Sequence, residues 1–324
     1  MTASPESKRL ISLVVPAFNE EDGINQTLAR IEALVVGSDY AWQVVVVNDG
    51  SSDRTWEQLL GYRPANFSLK LVDLSRNFGK EAALSAGLEV ADGEAVVPMD
   101  ADLQDPPELV FQMLEHWRRG SDVVLARRAD RSADSMSKRT TASMFYRMIN
   151  KISDIDIPEN VGDFRLMDRR VVDVLNRMPE NRRFMKGLFA WAGFRTSVID
   201  YVRPERNAGI TKFNWIRLVN LAIEGITSFS TAPLRLATLT GCLAAIGSLL
   251  FACYITVRTV VNGVEVPGYA SLVVIITFMS AIQLMALGVI GEYVGRTYLE
   301  SKRRPAYVLR DVISVQGYCE SEIR

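Results

Sequence analysis

Two uncharged stretches late in the sequence limit what this chain can fold into. Leu236–Val257 runs 22 residues and Val266–Gly291 runs 26 without Asp, Glu, Lys or Arg. Each exceeds the ~20 residues that cross a ~30 Å hydrocarbon layer as helix. The link Arg258–Glu265 is short, so a helical hairpin is expected within 233–298, with spans at about 236–257 and 268–291. Lys302, Arg303 and Arg304 follow the second stretch and Arg235 precedes the first, against Arg258 in the link. That asymmetry puts both ends, and with them both termini, on the cytoplasmic side. Gly291 and Gly295 have a spacing that permits close helix contact. Upstream, Trp215, Ile216, Leu218, Val219, Ala222, Ile223 and Ile226 recur at helical spacing within Phe213–Thr231. This predicts an amphipathic helix over 211–232 at the membrane interface. A surface helix packed on its own domain would show the same pattern.

The rest of the chain is of another kind. The first ten residues are polar, and ISLVVPAF is a strand-length apolar run rather than a secretory signal. Residues 1–210 are therefore expected as a cytoplasmic domain and 299–324 as a cytoplasmic tail, its last part (Val312–Arg324) disordered. Lys plus Arg is 37 and Asp plus Glu 38, a balance that argues against a nucleic-acid partner. A lone histidine, His116, excludes a multi-histidine metal site and is expected to be structural. Three cysteines have no metal-ligand spacing; Cys242 and Cys253 are expected as small core residues.

Strand-like runs at Ile11–Val15, Gln43–Asn48, Leu69–Leu74, Ala95–Pro98 and Asp122–Ala126 alternate with helical patterns. The helical patterns are Glu21–Val35, Thr55–Leu60, Lys80–Val90 and Pro107–Arg119. Alternation of this kind predicts an α/β domain with a mostly parallel sheet, whose ligands gather at the carboxyl ends of the strands. Three strand ends here are polar: Pro16-Ala17-Phe18-Asn19-Glu20, Asn48-Asp49-Gly50-Ser51-Ser52-Asp53, and Asp100-Ala101-Asp102-Leu103-Gln104-Asp105. Neither GxGxxG nor GxxxxGK[ST] occurs, so a nicotinamide-type Rossmann site and a P-loop lose their main support. Asp100 and Asp102, one residue apart after an apolar strand, can instead share a divalent cation with substrate phosphates, and Gln104 can add a neutral oxygen.

VVPAFNE, VVNDGSSDRT and MDADLQDPP, in this order, resemble the family 2 glycosyltransferases of GT-A fold. LSRNFGKEAALSAGL, ENVGDFRLMDRR, FMKGLFAW, ERNAGITKFN, EGITSFSTAPLR and GEYVGRTYLESKRRP resemble the bactoprenol (undecaprenyl-phosphate) glucosyltransferases, relatives of dolichyl-phosphate mannose synthases. The likeness runs from about Ile11 to Tyr307, and the QxxRW motif of processive synthases is absent.

The resemblance implies roles for individual residues. Asp49 contacts the nucleotide base; Pro16, Glu20, Asp100 and Ala101 line the nucleotide site. Asp100, Asp102 and Gln104 hold Mg²⁺ or Mn²⁺ on the diphosphate. Arg139 and Ser143, with Arg128 or its neighbour Arg127, hold the lipid phosphate, in a basic cluster that includes Arg131 and Lys138. Arg206 and Lys212 belong to a loop closing over the active site. Asp163 takes the place of the family's proposed base, yet a phosphate monoester with a second pKa near ~6 needs no deprotonation to attack. Asp163 can equally position Arg165 or a sugar hydroxyl. The aromatics Tyr146, Phe184, Phe189 and Trp191 are expected in the core or facing lipid.

The implied reaction is an inverting transfer of a hexose, foremost glucose from UDP-glucose, to undecaprenyl phosphate at the cytoplasmic face of a bacterial inner membrane. The partners are then a nucleotide sugar, the lipid acceptor and the bilayer. Related enzymes imply a homo-oligomer such as a tetramer, and a separate flippase. A mannosyl or amino-sugar donor stays open, as does a membrane-anchored nucleotide-sugar scaffold without activity. A transport role has little support, since Gln283 is the one strongly polar residue within the spans.

Overall fold

The computed structural model describes residues 8–129, 161–178, 180, 185–201, 230–262 and 268–315. These fall into two compact units: a sheet with its helices, which takes in the residues from Pro305 onward, and a helix pair ending at Arg304. Arg131, Lys138, Arg139, Ser143, Tyr146, Phe184, Arg206, Lys212, Cys319 and nearly all of Phe213–Thr231 lie outside the described residues.

The sheet has eight strands in the order β7-β5-β6-β4-β1-β2-β3-β8. Its centre is the predicted parallel part: β1 (Leu10–Ala17), β2 (Ala41–Asn48), β3 (Ser68–Leu74) and β4 (Ala95–Pro98). β1 lies between β2 and β4, and β2 pairs with β3, all in parallel. Near-continuous apolar runs such as Val44–Val47 suit strands covered on both faces, and those four residues are wholly buried. The covering helices are α1 (Ile24–Val35), α2 (Thr55–Gly61), α3 (Lys80–Val90) and α4 (Leu109–Arg118). α1 begins three residues later than its apolar period, because Gly23 and Ile24 donate to the Glu20 carbonyl and form a turn there. α3 lies close on β1 and β2: a Cβ added at Gly87 would come 2.3 Å from Val14.

Beyond β4 the topology changes. β6 (Val161–Asp168) inserts antiparallel between β4 and β5 (Val123–Arg128), and β7 (Thr196–Tyr201) pairs parallel with β5. α5 (Arg169–Arg177) follows β6 directly, with Asp168 as its N-cap, and α6 spans Met185–Trp191. The sheet is thus mixed but mostly parallel, with helices on its faces, as a GT-A domain is.

At the other edge, the disorder expected from Val312 onward is corrected for Val312–Val315, and the rest of that tail lies outside the described residues. β8 (Leu309–Val315) pairs antiparallel with β3, so residues 305–315 belong to the sheet unit. Leu71 faces Ile313 and Leu69 faces Val315, and both Ile313 and Val315 pack against the core. Burial of that alternate row outweighs the entropy of ordering the segment.

In the second unit, α7 (Ala232–Asn262) and α8 (Tyr269–Ser301) pack on one another. α7 continues past Arg258, so part of the expected link is helix. Their apolar windows have mean hydropathy 2.0 and 2.1, with none of either window buried. Both are long and apolar enough to cross a membrane. Cys242 and Cys253 are exposed on α7 rather than in a core, because this helix has no protein packed around most of its surface.

Candidate active site

The carboxyl ends of β1, β2 and β4 converge on one cleft of about 320 Å³, within the range of small-molecule sites. Pro16, Glu20, Asp49, Asp100, Ala101 and Asp102 all line it, as expected from sequence. Phe18, Asn77, Gly79, Lys80 and Ala83 line it as well. Gln104, Arg128 and Asp163 do not line the cleft itself, although Asp163 reaches it through Lys80.

The strand ends are locked to one another. Asn19 adopts the left-handed conformation (φ 54°), and its Oδ1 accepts from the Ser52 amide at 2.8 Å. Its own amide donates to Ser51 Oγ, and the Glu20 amide donates to Thr55 Oγ1. The β1 turn therefore rests on the β2 turn. The turn after β4 carries Leu103 at φ 52°, an uncommon conformation for a branched side chain. It sits between Asp102 and Gln104, whose amide donates to Asp102 Oδ1 at 3.1 Å.

Lys80 is the residue that the motifs did not single out. It opens α3 just after Gly79, whose φ of 96° favours glycine. An ammonium at a helix N-terminus faces the positive end of the macrodipole. Here its Nζ lies 2.6 Å from Asp100 Oδ1 and 2.9 Å from Asp163 Oδ2, and the two carboxylates reverse the sign of the local field. Burial works to lower the Lys80 pKa, but Asp163 and Asp100 raise it above its ordinary value. Burial raises Asp100, against the pull of Lys80. Glu20 is pushed up by burial and then by Asp102, Asp53 and Asp100. Lys80 thus pairs with Asp100 and Asp163, while Glu20 and Asp102 add further carboxylates to the cleft.

Asp49 is nearly buried, and its carboxylate accepts from the Phe78 and Gly79 amides at 2.7 and 2.9 Å. Burial raises its pKa, with those hydrogen bonds working the other way. Gly50 is required here: at φ 64°, a Cβ would lie 2.4 Å from the Arg76 carbonyl carbon.

The buried Arg165 guanidinium donates to the Gly162 carbonyl at 2.7 Å and lies 3.9 Å from the Phe189 ring centre. It holds the backbone that carries Asp163. Burial lowers its pKa to about 10, so it stays charged at neutral pH. Of the remaining described aromatics, Phe189 is buried and Trp191 is exposed. His116 is half-buried on α4, away from the cleft.

The two adjacent arginines are sorted by their partners. Arg127 forks onto Asp200 with contacts of 2.6 and 2.9 Å. Arg128 donates to Tyr201 Oη at 3.2 Å, and its Nη2 stands 3.7 Å from Asp105. The same Nη2 would be 3.7 Å from a Cβ at Gly162, so Arg128 sits beside the Gly162–Asp163 backbone.

Among the described residues, no group of three or more His, Cys, Asp or Glu side chains is arranged to hold a metal. Asp100 and Asp102 are two hard oxygen donors on one turn. They fit Mg²⁺ or Mn²⁺ of the kind that substrate phosphates and water complete, rather than an all-protein cage.

Residues 12–175 match the family model described as glycosyl transferase family 2. The chain is 47% identical to an uncharacterized glycosyltransferase of Synechocystis sp., over 93% of this chain and 95% of that protein. It is 48% identical to the prophage bactoprenol glucosyl transferase homolog of Escherichia coli, over 93% of this chain and 99% of that protein. Among solved structures, glucosyl-3-phosphoglycerate synthase from Mycobacterium tuberculosis matches with a TM-score of 0.46 and 21% identity, covering 68% of this chain and 78% of that one.

Proposed function

This chain belongs to glycosyltransferase family 2, and on that premise we propose that it transfers a hexose, foremost glucose from UDP-glucose, to undecaprenyl phosphate at the cytoplasmic face of a membrane. The observation that carries the reading is the cleft at three strand ends, lined by Glu20, Asp49, Asp100 and Asp102, with the Lys80 ammonium paired to Asp100. Its companion is the near full-length likeness to a bactoprenol glucosyl transferase homolog.

In this reading the donor nucleotide lies between the Pro16–Glu20 turn and the Asp49–Gly50 turn, with its diphosphate toward Asp100 and Asp102. A divalent ion there would stabilise the charge that develops on the departing diphosphate. Lys80 holds Asp100 and Asp163 at fixed separation and lends positive charge to the same region. The acceptor phosphate is largely dianionic at pH 7, so its oxygen attacks the anomeric carbon without a base. Arg128 neutralises it from the Asp163 side, with Arg139 and Ser143 as further partners. A single in-line displacement breaks the bond from anomeric carbon to diphosphate oxygen, forms one to the acceptor phosphate oxygen, and inverts the configuration. α7 and α8 cross the bilayer in this reading, which confines the enzyme and its lipid substrate to the same surface.

The test is transfer by the purified full-length chain in detergent with undecaprenyl phosphate and Mn²⁺ or Mg²⁺. Labelled UDP-glucose, UDP-galactose, UDP-N-acetylglucosamine and GDP-mannose are offered separately, with Asp102→Ala as control. Metal-dependent label in the lipid phase from UDP-glucose alone, lost in the control, supports the full reading. Transfer from another donor keeps the chemistry and discards glucose. No transfer from any donor with nucleotide still bound would favour the inactive scaffold.

A further inference from the structure

The strand that follows the apolar helix pair begins beside the carboxyl end of β3. Ser75 donates its amide to the Val308 carbonyl at 2.9 Å, and β8 then runs antiparallel along β3. The ladder slips once: Asp73 faces Asp311, but Leu74 faces Leu309. Arg310 is the extra residue at that bulge, and bulges redirect a side chain out of the regular alternation. Arg310 Nη1 reaches Asp73 Oδ2 at 3.0 Å and Nη2 reaches the Ser75 carbonyl at 2.7 Å.

Asp73 passes the contact inward. Its side chain is 2% exposed, and its Oδ1 accepts from Asn48 Nδ2 at 2.7 Å. Asn48 Oδ1 in turn accepts from the Ser51 amide at 3.2 Å. Ser75 opens the loop that carries Asn77, Gly79 and Lys80 into the cleft, and Asp49 ties that loop to the β2 turn through Phe78 and Gly79. One guanidinium on β8 therefore holds both walls at this end of the cleft: the β2 turn through Asp73 and Asn48, and the 75–79 loop through the Ser75 carbonyl.

We propose that Arg310 is a positioning residue for the donor site, and that β8 is part of that site's frame. The proposal rests on the reading of the cleft as the donor site. A buried carboxylate that loses its charged partner is costly, and here the partner comes from the other side of the apolar helix pair in sequence. Nucleotide affinity is thereby made to depend on β8 being seated.

The experiment compares wild type, Arg310→Met and Arg310→Lys as full-length chains in detergent. Hydrogen exchange is followed at residues 48–53 and 75–80, with β1 and α4 as references. In parallel, KM for UDP-glucose and for undecaprenyl phosphate are measured with kcat. In Arg310→Met, exchange at the two segments should rise about tenfold, the loss of one charged hydrogen-bond pair, while β1 and α4 keep their protection. Donor KM should rise by a similar factor, with acceptor KM and kcat within about twofold of wild type. Arg310→Lys keeps the cation but not the fork and should recover part of the donor KM.

Wild-type protection at both segments in Arg310→Met would overturn the proposal. So would equal loosening of β1 and α4 in both variants, or a defect confined to acceptor KM or kcat. Wild-type enzyme that transfers no sugar would instead count against the proposed function, while the exchange data would still decide the role of Arg310.

Discussion

Replacing Lys80 by Met tests the electrostatic design of the cleft. The substitution keeps most of the side-chain volume and removes the ammonium that stands 2.6 Å from Asp100 and 2.9 Å from Asp163. At an effective dielectric constant of ~20, each contact is worth several kcal/mol of gross attraction. Most of that is offset by the desolvation of the charges. Breaking a fully buried pair costs ~3–5 kcal/mol. Lys80 is 46% exposed, Asp100 34% and Asp163 19%, so solvent screening lowers the expected cost to ~1–3 kcal/mol. For a domain of this size that corresponds to a fall in Tm of roughly 2–12 °C, measured without divalent ions.

The second half of the experiment adds Mn²⁺. With Lys80 gone, Asp100 and Asp163 have lost the cation that opposed their repulsion, so an added divalent ion should stabilise Lys80→Met more than wild type. Transfer should fall as well, because Lys80 no longer holds Asp100 and Asp163. Equal Tm for the two proteins without metal, together with equal shifts on adding Mn²⁺, would refute the view of Lys80 as the counter-charge of the cleft.

Three other outcomes follow from the same geometry. If Asp163 serves only to hold Lys80, Asp163→Asn should lower kcat by no more than about tenfold and leave the pH profile above 6 unchanged; a fall of ~10²–10⁴ with an altered profile would identify it as a base. Arg128→Met should raise the KM for undecaprenyl phosphate, whereas Arg127→Met, which breaks only an exposed fork with Asp200, should leave kinetics and Tm near wild type. Asp168→Ala removes the cap of α5 and the acceptor for Trp117 Nε1 at 2.8 Å, and should cost ~1–3 kcal/mol at pH 7 by thermal unfolding. Burial works to raise the Asp168 pKa, but hydrogen bonds from Trp117 and Arg170 outweigh it and hold the pKa below its usual range. The Asp168 contribution is thus present above the unfolded pKa of ~3.9 and lost as pH falls through the folded one, so the gap between wild type and Asp168→Ala should narrow in acid.

Local pattern and chemistry made much of this protein legible from its amino-acid order. β1 to β5 and α1 to α4 announce themselves because a buried parallel strand must be a continuous apolar run and a covering helix must repeat its apolar face. The Asp100-Ala101-Asp102 turn is recognisable because it places two carboxylates one residue apart just past an apolar strand. α7 and α8 are legible because two uncharged runs are long and apolar enough to cross a membrane as helix.

Tertiary structure decided what depends on partners far away in sequence. β8 reads LRDVISV, half polar and mostly exposed, and its status as a strand comes from the edge of β3 more than 200 residues upstream. Lys80 looks like any lysine at the start of a helix until Asp100 and Asp163 are folded onto it. Arg127 and Arg128 are indistinguishable neighbours until β7 offers Asp200 to one and Tyr201 to the other. Arg165 shows its place only once β6 buries its guanidinium against the Gly162 carbonyl. In each case the physical reason is the same: burial and Coulomb energy are set by distances that no local period encodes.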